Sequence, residues 1–368
     1  MKKAIIIASM DNYANGVKPR HLKNHLEQRG FKVALLESAH RKSLKGFLSN
    51  LVHARNPFMY TCMAVLMTIA KKSKSDHLLK YVTSFFSVRA FEIYGEITSK
   101  RLRQSNADLV ICESGLDIGF VAYDKTDAIK ILDLPCPLAE EMYFGDMITE
   151  RSYRRLVGKE ISYYKAADAL SFHWHTYNDY VRRKKYDGDN IINMGYGTIK
   201  KDLTAMYSEE PKVIFLGLLN GYWVNLPLLE EIVKICPNVD VYGGPKPPAH
   251  IKVNYKGYAP TLDVMAEYQF GLITISKDEL RKSSFSSKHL EYISYGLPVL
   301  TPEWREDNVL RPSSIYYKDA EDLKRKIAMY SDKVSWNKIH LESINLADEL
   351  SWYNSFKKLD LLLESHAL

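Results

Sequence analysis

The segment 283–301, SSFSSKHLEYISYGLPVLT, sets three kinds of residue in a fixed order. Four serines (Ser283, Ser284, Ser286, Ser287) open it. A short helical run over 288–295 follows, and Gly296 stops the helix before 297–300 restarts as a buried strand. A helix that starts on such a loop aims its first-turn N–H groups at whatever lies ahead, which makes an anion site. Lys288 adds a cation to it. Glu291 is three residues further on and so shares the face of Lys288, while Leu290 and Ile293 turn to the core. A carboxylate one turn behind an anion site can accept two hydrogen bonds from a vicinal diol such as a ribose. Phosphate in front and diol behind suit a nucleoside diphosphate. The same residues also read as an ordinary helix cap and an ordinary surface Lys–Glu pair.

A second group of chemical residues sits at expected strand ends. Asp133 closes AIKILD, Glu113 follows LVIC, and Asp117 lies four residues beyond Glu113. A carboxylate at the carboxyl end of a parallel strand faces the ligand crevice and can act as a general base. It can equally cap a loop or a helix. Arg281 and Lys246 are lesser phosphate candidates. His173 and His175 (HWH) have a two-ligand spacing with no third ligand near, and no Asp-x-Asp motif is present. No metal and no cofactor are therefore expected. The first strand is not followed by G-x-G-x-x-G, and there is no Walker A motif, which argues against dinucleotide oxidoreductases and P-loop enzymes.

The elements that must position these groups alternate along the chain. Strands are expected at 3–8, 31–36, 108–112, 128–133 and 168–172, with helices at 19–29 and 151–167 and a helical and loop region over 40–104. The second half repeats the pattern: strands at 213–217, 239–242, 271–274 and 298–300, helices at 225–235, 261–267, 288–295 and 320–330, and a last helix at 351–365. The fold class is thus α/β, with doubly wound parallel sheets. A chain of 368 residues favours two domains, and the polar stretch 197–211 is the expected boundary.

The serine-to-strand segment resembles the nucleotide-sugar site of bacterial glycosyltransferases of GT-B architecture. Family-4-like members carry Lys-x-x-Glu-Tyr…Gly-x-Pro-Val, here Lys288, Glu291, Tyr292, Gly296, Pro298 and Val299. Other matches follow in family order: KAIIIA with Asn15-Gly16 after it, YKAADALS at 164–171, NMGYG at 193–197, KVIFLG at 212–217, VYGGP at 241–245, YKGYAP at 255–260 and Ser351-Trp352. The resemblance implies two Rossmann-like domains facing across a cleft. Residues 1–200 would bind the acceptor, 201–350 the nucleotide-sugar donor, and 351–368 would pack back on the first domain. The donor set it implies is Gly16, Gly217, Asn220, Gly243, Gly244, Lys246, Tyr258, Ser286, Ser287, Lys288 and Glu291, with Asp133 and then Glu113 as catalytic carboxylates. Many members carry an acidic residue eight positions before Glu291, where this chain has Ser283. That leaves retention or inversion open, and the form without the acid also resembles inverting glucuronosyl- and capsule-type relatives. The implied activity moves a sugar from a nucleoside-diphosphate sugar to a glycan or lipid-linked acceptor in cell-surface polysaccharide or glycoconjugate synthesis. The alternatives are a non-catalytic basic membrane- or glycan-binding module and a nucleotide-sugar epimerase.

Charge points to a further partner. The net charge is +7, but residues 1–103 hold 19 Lys/Arg and 6 Asp/Glu, leaving 32 against 38 in the rest. A basic first third suits an anionic partner. The most apolar stretch, 57–70, has Arg55 before it and Lys71, Lys72 and Lys74 after it. Its 14 residues are too few to span a bilayer. It reads either as a core helix or as an interfacial helix resting on anionic lipid. No nucleic-acid recognition motif accompanies the charge, so no nucleic acid is expected. Four cysteines without C-x-x-C spacing and a first apolar run only six residues long fit a reduced, cytoplasmic chain, peripheral on the inner membrane face in the lipid-docking reading.

Overall fold

The computed structural model describes residues 1–9, 13–39, 44–219, 221–284, 286–305 and 307–368. The chain divides into two compact units, Met1–Gly195 with Ser355–Leu368, and Tyr196–Asn354.

In the first unit, strands β1 (Lys3–Ala8), β2 (Lys32–Glu37), β3 (Leu109–Cys112), β4 (Ile129–Leu134) and β5 (Ala169–Phe172) form one parallel sheet. Its order is β2-β1-β3-β4-β5, so the winding reverses between β1 and β3. Central strands read as unbroken apolar runs because helices cover both faces of such a sheet. Every residue of β3 and β5 is buried, whereas no residue of β2 at the edge is. The helices are α1 (Tyr13–Gln28), α2 (Leu44–His53), α3 (Pro57–Lys72), α4 (Asp76–Leu102), α5 (Phe120–Tyr123), α6 (Leu138–Phe144), α7 (Glu150–Ala166) and α8 (His175–Lys184). α1 begins six residues ahead of the expected start at Pro19, so Gly16 lies in its opening turns and not in a loop. Proline lacks an N–H but is tolerated near a helix start, and here Pro19 is carried inside α1.

Two buried polar clusters fix this unit. Asp117 accepts from Ser38 Oγ (2.5 Å), Ser114 Oγ (2.6 Å), Thr98 Oγ1 (2.5 Å) and the Ala39 N–H (3.1 Å), tying the end of β2, α4 and the loop after β3 together. That position makes Asp117 a structural pin, not a base. Lys185 Nζ sits 2.7 Å from Glu140 Oε2 and 2.5 Å from Glu160 Oε2, all three side chains being buried. Glu160 Oε1 accepts the Leu138 and Ala139 N–H groups at 3.1 and 3.3 Å, capping α6, whose flanking Pro137 has no capping side chain.

Of the expected mixed region 40–104, the described residues from 44 onward form three helices with a core of their own. Tyr60 and Met63 of α3 meet Phe86, Ile93 and Ile97 of α4, with Phe47 and Leu51 of α2 against them. Asn56 caps α3 and Pro57 opens it, which is where a proline costs least. Ser75 caps α4. At the other end of the chain, α13 (Trp352–Ser355) and α14 (Lys357–Ser365) replace the single helix expected over 351–365. α14 packs on α1: Asp360 Oδ1 lies 2.7 Å from His25 Nε2 and 3.1 Å from Arg29 Nη1, over buried Phe356, Leu359 and Leu363.

In the second unit, β6 (Val213–Leu216), β7 (Val239–Tyr242), β8 (Asn254–Gly257), β9 (Phe270–Leu272), β10 (Val299–Pro302) and β11 (Ser314–Tyr317) are again all parallel, in the order β11-β10-β9-β6-β7-β8. The helices are α9 (Leu226–Ile235), α10 (Ser287–Ser294), α11 (Ala320–Met329) and α12 (Lys333–Glu349). The helix expected at 261–267 is a 3-10 run, Leu262–Glu267. β6 and β9 pair only through Val213 with Phe270 and Ile214 with Gly271. Past that point they part, and the Tyr292 phenol fills the opening. The Leu216 N–H donates to Tyr292 Oη at 2.9 Å, and Oη donates to the Leu272 carbonyl at 3.2 Å. The ring lies flat on Gly271, where a Cβ would fall 2.4 Å from ring carbons.

Replacing Tyr292 with Phe strands one buried donor and one buried acceptor with little change of shape. The substitution is expected to lower stability by about 1–3 kcal/mol, read as a shifted urea midpoint at constant m-value. An unchanged midpoint would show that the two backbone groups do not depend on the phenol.

Candidate functional site

In the second unit the winding reverses between β6 and β9, and ligands of such sheets bind outside the strand carboxyl ends at that reversal. Gly217 follows β6 at φ +150°, and a Cβ there would fall 2.2 Å from Lys288 Cε and 2.9 Å from its Nζ. Only a glycine therefore lets the Lys288 side chain lie across this turn. Gly243, after β7, has φ +101°, and its missing Cβ would come 3.1 Å from the Gly217 carbonyl oxygen. The turns are locked side by side: Gly217 N–H to Tyr242 O, Gly243 N–H to Gly257 O and Tyr255 Oη–H to Gly244 O, each at 2.8 Å. The result is a floor of bare backbone at the ends of β6, β7 and β8.

α10 rises from this floor. Ser286 flanks it without making a side-chain capping bond, so among the described residues the first-turn amides at Ser287 and Lys288 have no capping side chain from it and face a ligand or water. The loop ahead of it is braced from behind. The Arg305 guanidinium bonds the Ser284 carbonyl and reaches Thr301 Oγ1 at 3.5 Å, while Arg281 donates to Tyr222 Oη at 2.9 Å and lies 5.2 Å over that ring. Arg281 is thereby engaged as a brace. Thr274, just past β9, holds a buried Oγ1 with no hydrogen-bond partner among the described residues. Lys288 and Glu291 stand on one face of α10, as their spacing requires. Burial lowers the Lys288 ammonium from its usual range against the pull of Glu291, and burial raises the Glu291 carboxyl against the pull of Lys288. Both groups thus gain from a ligand that supplies charge to one and hydroxyls to the other. Gly244 is buried beside these turns, while Lys246 and Tyr258 are exposed. Asn220 lies outside the described residues.

The first unit gathers its own charged cluster at the carboxyl ends of β3, β4 and β5. Asp133, expected to face open space, is fully buried in a pair with Lys18 of α1: Nζ lies 2.9 Å from Oδ1, 2.7 Å from Oδ2 and 2.7 Å from the Met194 carbonyl. Its strand position turns it toward α1, opposite Ser171 in the register of β5. Glu113 follows β3 and its Oε1 is buried with no hydrogen-bond partner among the described residues. Burial raises the Glu113 carboxyl well above the usual carboxylate range; the neighbouring Asp133 raises it further and Lys18 opposes. His173, beyond β5, is held well below the usual imidazole range by burial and by Lys18, which keeps it neutral. Burial also raises Asp133, with Lys18 and Ser171 opposing.

Lys18 was not anticipated. The available signal is that Lys18, Leu22 and Leu26 recur every four residues and all three are buried on the core-facing stripe of α1. A lysine on such a stripe needs a buried anion. The remaining cations, Arg55, Lys71, Lys72 and Lys74, are all exposed at the two ends of α3.

No family model matches the sequence, and no curated protein matches it. Solved structures do. Sucrose-phosphate synthase from Thermosynechococcus elongatus is similar with a TM-score of 0.68 at 10% identity, over 100% of this chain and 99% of its own. A glycosyltransferase from Rickettsia africae gives 0.60 at 11% over 99% and 98%, respectively. Phytolacca americana UGT2, solved with UDP-2-fluoroglucose and pterostilbene, gives 0.55 at 12% over 100% of both chains. Identities this low speak for fold alone, and with two all-parallel α/β sheets the chain has the GT-B architecture.

The Glu113 carboxyl carries a pH dependence of known sign. Its folded-state affinity for a proton exceeds that of the unfolded chain. The stabilisation is complete below the ordinary carboxylate pKa and is lost as pH rises through the raised folded value. The melting temperature is expected to fall with rising pH, and Glu113→Gln to remove part of that fall while Lys185 and Glu160 keep theirs. Identical pH profiles for the two proteins would mean that Glu113 ionises as freely folded as unfolded.

Proposed function

We propose that the protein transfers a glycosyl group, in the simplest case a hexosyl group, from a nucleoside-diphosphate sugar to a glycan or lipid-linked hydroxyl acceptor. The second unit holds the donor and the first presents the acceptor. One observation carries the reading: at the winding reversal of the second sheet, an uncapped helix start, a lysine laid over a glycine turn and a carboxylate one turn deeper occur together. The lysine and the amides stabilise the departing diphosphate, where charge grows most in the transition state. Glu291 takes the ribose diol. The glycine floor lets the nucleotide approach the backbone. Among proteins of similar fold, one has been solved with a UDP-sugar analogue and another carries the name glycosyltransferase. The order of motifs along the chain favours kinship with family-4-like and capsule-type enzymes acting in surface polysaccharide or glycoconjugate synthesis.

In the first unit the division of labour falls between the two carboxylates. Asp133 is committed to Lys18, so it orients and polarises. Glu113 has the uncommitted oxygen, and burial raises its affinity for a proton above that of an ordinary carboxylate, as a proton acceptor requires. In an inverting transfer, Glu113 removes the acceptor proton as the hydroxyl attacks the anomeric carbon and the sugar–phosphate bond breaks.

Three measurements test this. A thermal-shift panel of UDP, GDP and dTDP is expected to raise the melting temperature with one base preferred, since a ligand of the native state alone stabilises it. Calorimetry with that nucleotide is expected to show Glu291→Ala weakening binding by about 1.5–3 kcal/mol, roughly 10- to 150-fold. Lys288→Ala should weaken the diphosphate and leave the free nucleoside untouched. Equal affinities for wild type and Glu291→Ala would remove Glu291 from the site. Separately, Glu113→Gln is expected to slow transfer about 10²- to 10⁴-fold with nucleotide affinity unchanged. A full-rate variant would move the base elsewhere.

A further inference from the structure

We propose that the α3–α4 hairpin of the first unit is a docking face for an anionic lipid bilayer, so that the acceptor is membrane-borne. The second clause rests on the glycosyl-transfer reading; the first does not. α3 turns Tyr60, Met63, Met67 and Ala70 inward, and that stripe is accounted for by the local core. Its opposite side is apolar as well. Phe58, Val65, Leu66 and Ile69 are exposed, Phe58 to 77%. A helix on a soluble surface carries polar residues there. α4 continues the pattern beside it with Leu78, Tyr81 and Phe85 at i, i+3 and i+7, the last also 77% exposed. α2 adds Leu48 and Val52. The surface is therefore built from three adjacent helices, and it is too broad to be scattered surface apolarity.

Its charge selects the occupant. Arg55, Lys71, Lys72 and Lys74 are exposed at the two ends of α3, Asp76 is the one carboxylate in 44–81, and Lys80 is paired with Asp146. Lysines at the end of a helix are favoured by its dipole alone, but the dipole gives no reason for the apolar stripe next to them. A second copy of the chain would cover the apolar side chains only by setting four exposed cations against four. Nucleic acid would use the cations and leave the apolar stripe wet. Anionic lipid uses both, the lysines at the headgroups and the rings at the interface. α3 has 16 residues, about 24 Å of helix, which is short of the roughly 30 Å hydrocarbon core. No helix among the described residues is long and apolar enough to cross a membrane. The hairpin accordingly lies in the interface, and release is reversible. That reversibility suits an enzyme whose donor is water-soluble and whose acceptor is not.

The test is co-sedimentation of the full chain with phosphatidylcholine vesicles, with and without phosphatidylglycerol. Binding is expected only with the anionic lipid and is expected to fall as salt rises. The combined Lys71→Glu, Lys72→Glu and Lys74→Glu variant should bind about 100-fold more weakly or less still, from roughly five-fold per lysine. Val65→Asp with Ile69→Asp, both at exposed positions, should also lose binding with an unchanged melting temperature. Phe58→Trp should shift its fluorescence to the blue on vesicles and be quenched by brominated acyl chains. Absence of binding to anionic vesicles at low salt overturns the proposal. So does binding without quenching, or a concentration-dependent dimer that the two Asp substitutions abolish. Nucleotide thermal shifts on the same preparations keep the two readings apart: a protein that binds vesicles but no nucleotide retains the docking face and loses the transfer reaction.

Discussion

Parallel strands covered by helices on both faces leave one place for chemistry, their carboxyl ends. Both sheets of this protein obey that constraint, and the rest of the molecule is arranged around it. In the second unit the strands of the winding reversal must also part to admit a ligand, which strips backbone groups of partners. Tyr292 resolves this by standing between Leu216 and Leu272 and bonding to both. The residue beside Glu291 on α10 thus holds the two strand ends apart, so the helix that carries Lys288 and Glu291 is also the wedge between β6 and β9.

The first unit handles the same constraint with charge. Asp133 and Glu113 both lie at strand ends under cover, and two buried carboxylates cannot both ionise cheaply. Lys18 neutralises one, and the other keeps its proton to higher pH. Removing Lys18 alone would leave an uncompensated buried anion, which is why such a pair behaves as one object under mutation.

Much of this architecture is legible in the sequence. KAIIIA, LVIC, ALSF and VIFL announce buried parallel strands because they are mainly apolar with no regular polar alternation, and Lys288 and Glu291 announce a shared helix face by spacing alone. Other elements are silent for physical reasons. β11 (SIYY) is an edge strand of mixed polarity, and α12 carries Ser343 in its buried stripe among Trp336, Ile339 and Leu346, which blunts the apolar period. Lys18 is invisible to a search for motifs because its partner lies 115 residues away. Asp117, which reads as a base, becomes a pin only when Ser38 and Thr98 arrive from distant segments. The glycines after β6 and β7 can be located in sequence, but only the structure shows that one makes room for a lysine side chain and the other for a neighbouring backbone.

The return of the chain from the second unit to the first bears on how the protein is made. Phe356 ahead of α14 packs on His25 of α1, Leu359 and Leu363 of α14 are buried, and Asp360 reaches His25 and Arg29. These residues leave the ribosome after the whole of 196–354 has been synthesised. At the usual pace of about 5–20 residues per second, the nascent first unit therefore waits many seconds with one flank of α1 uncovered. The second unit, whose segment is continuous, is itself complete only at Asn354, directly before the returning residues. Completion of the first unit is therefore tied to the end of synthesis, and the uncovered flank of α1 is the surface a chaperone would meet until then.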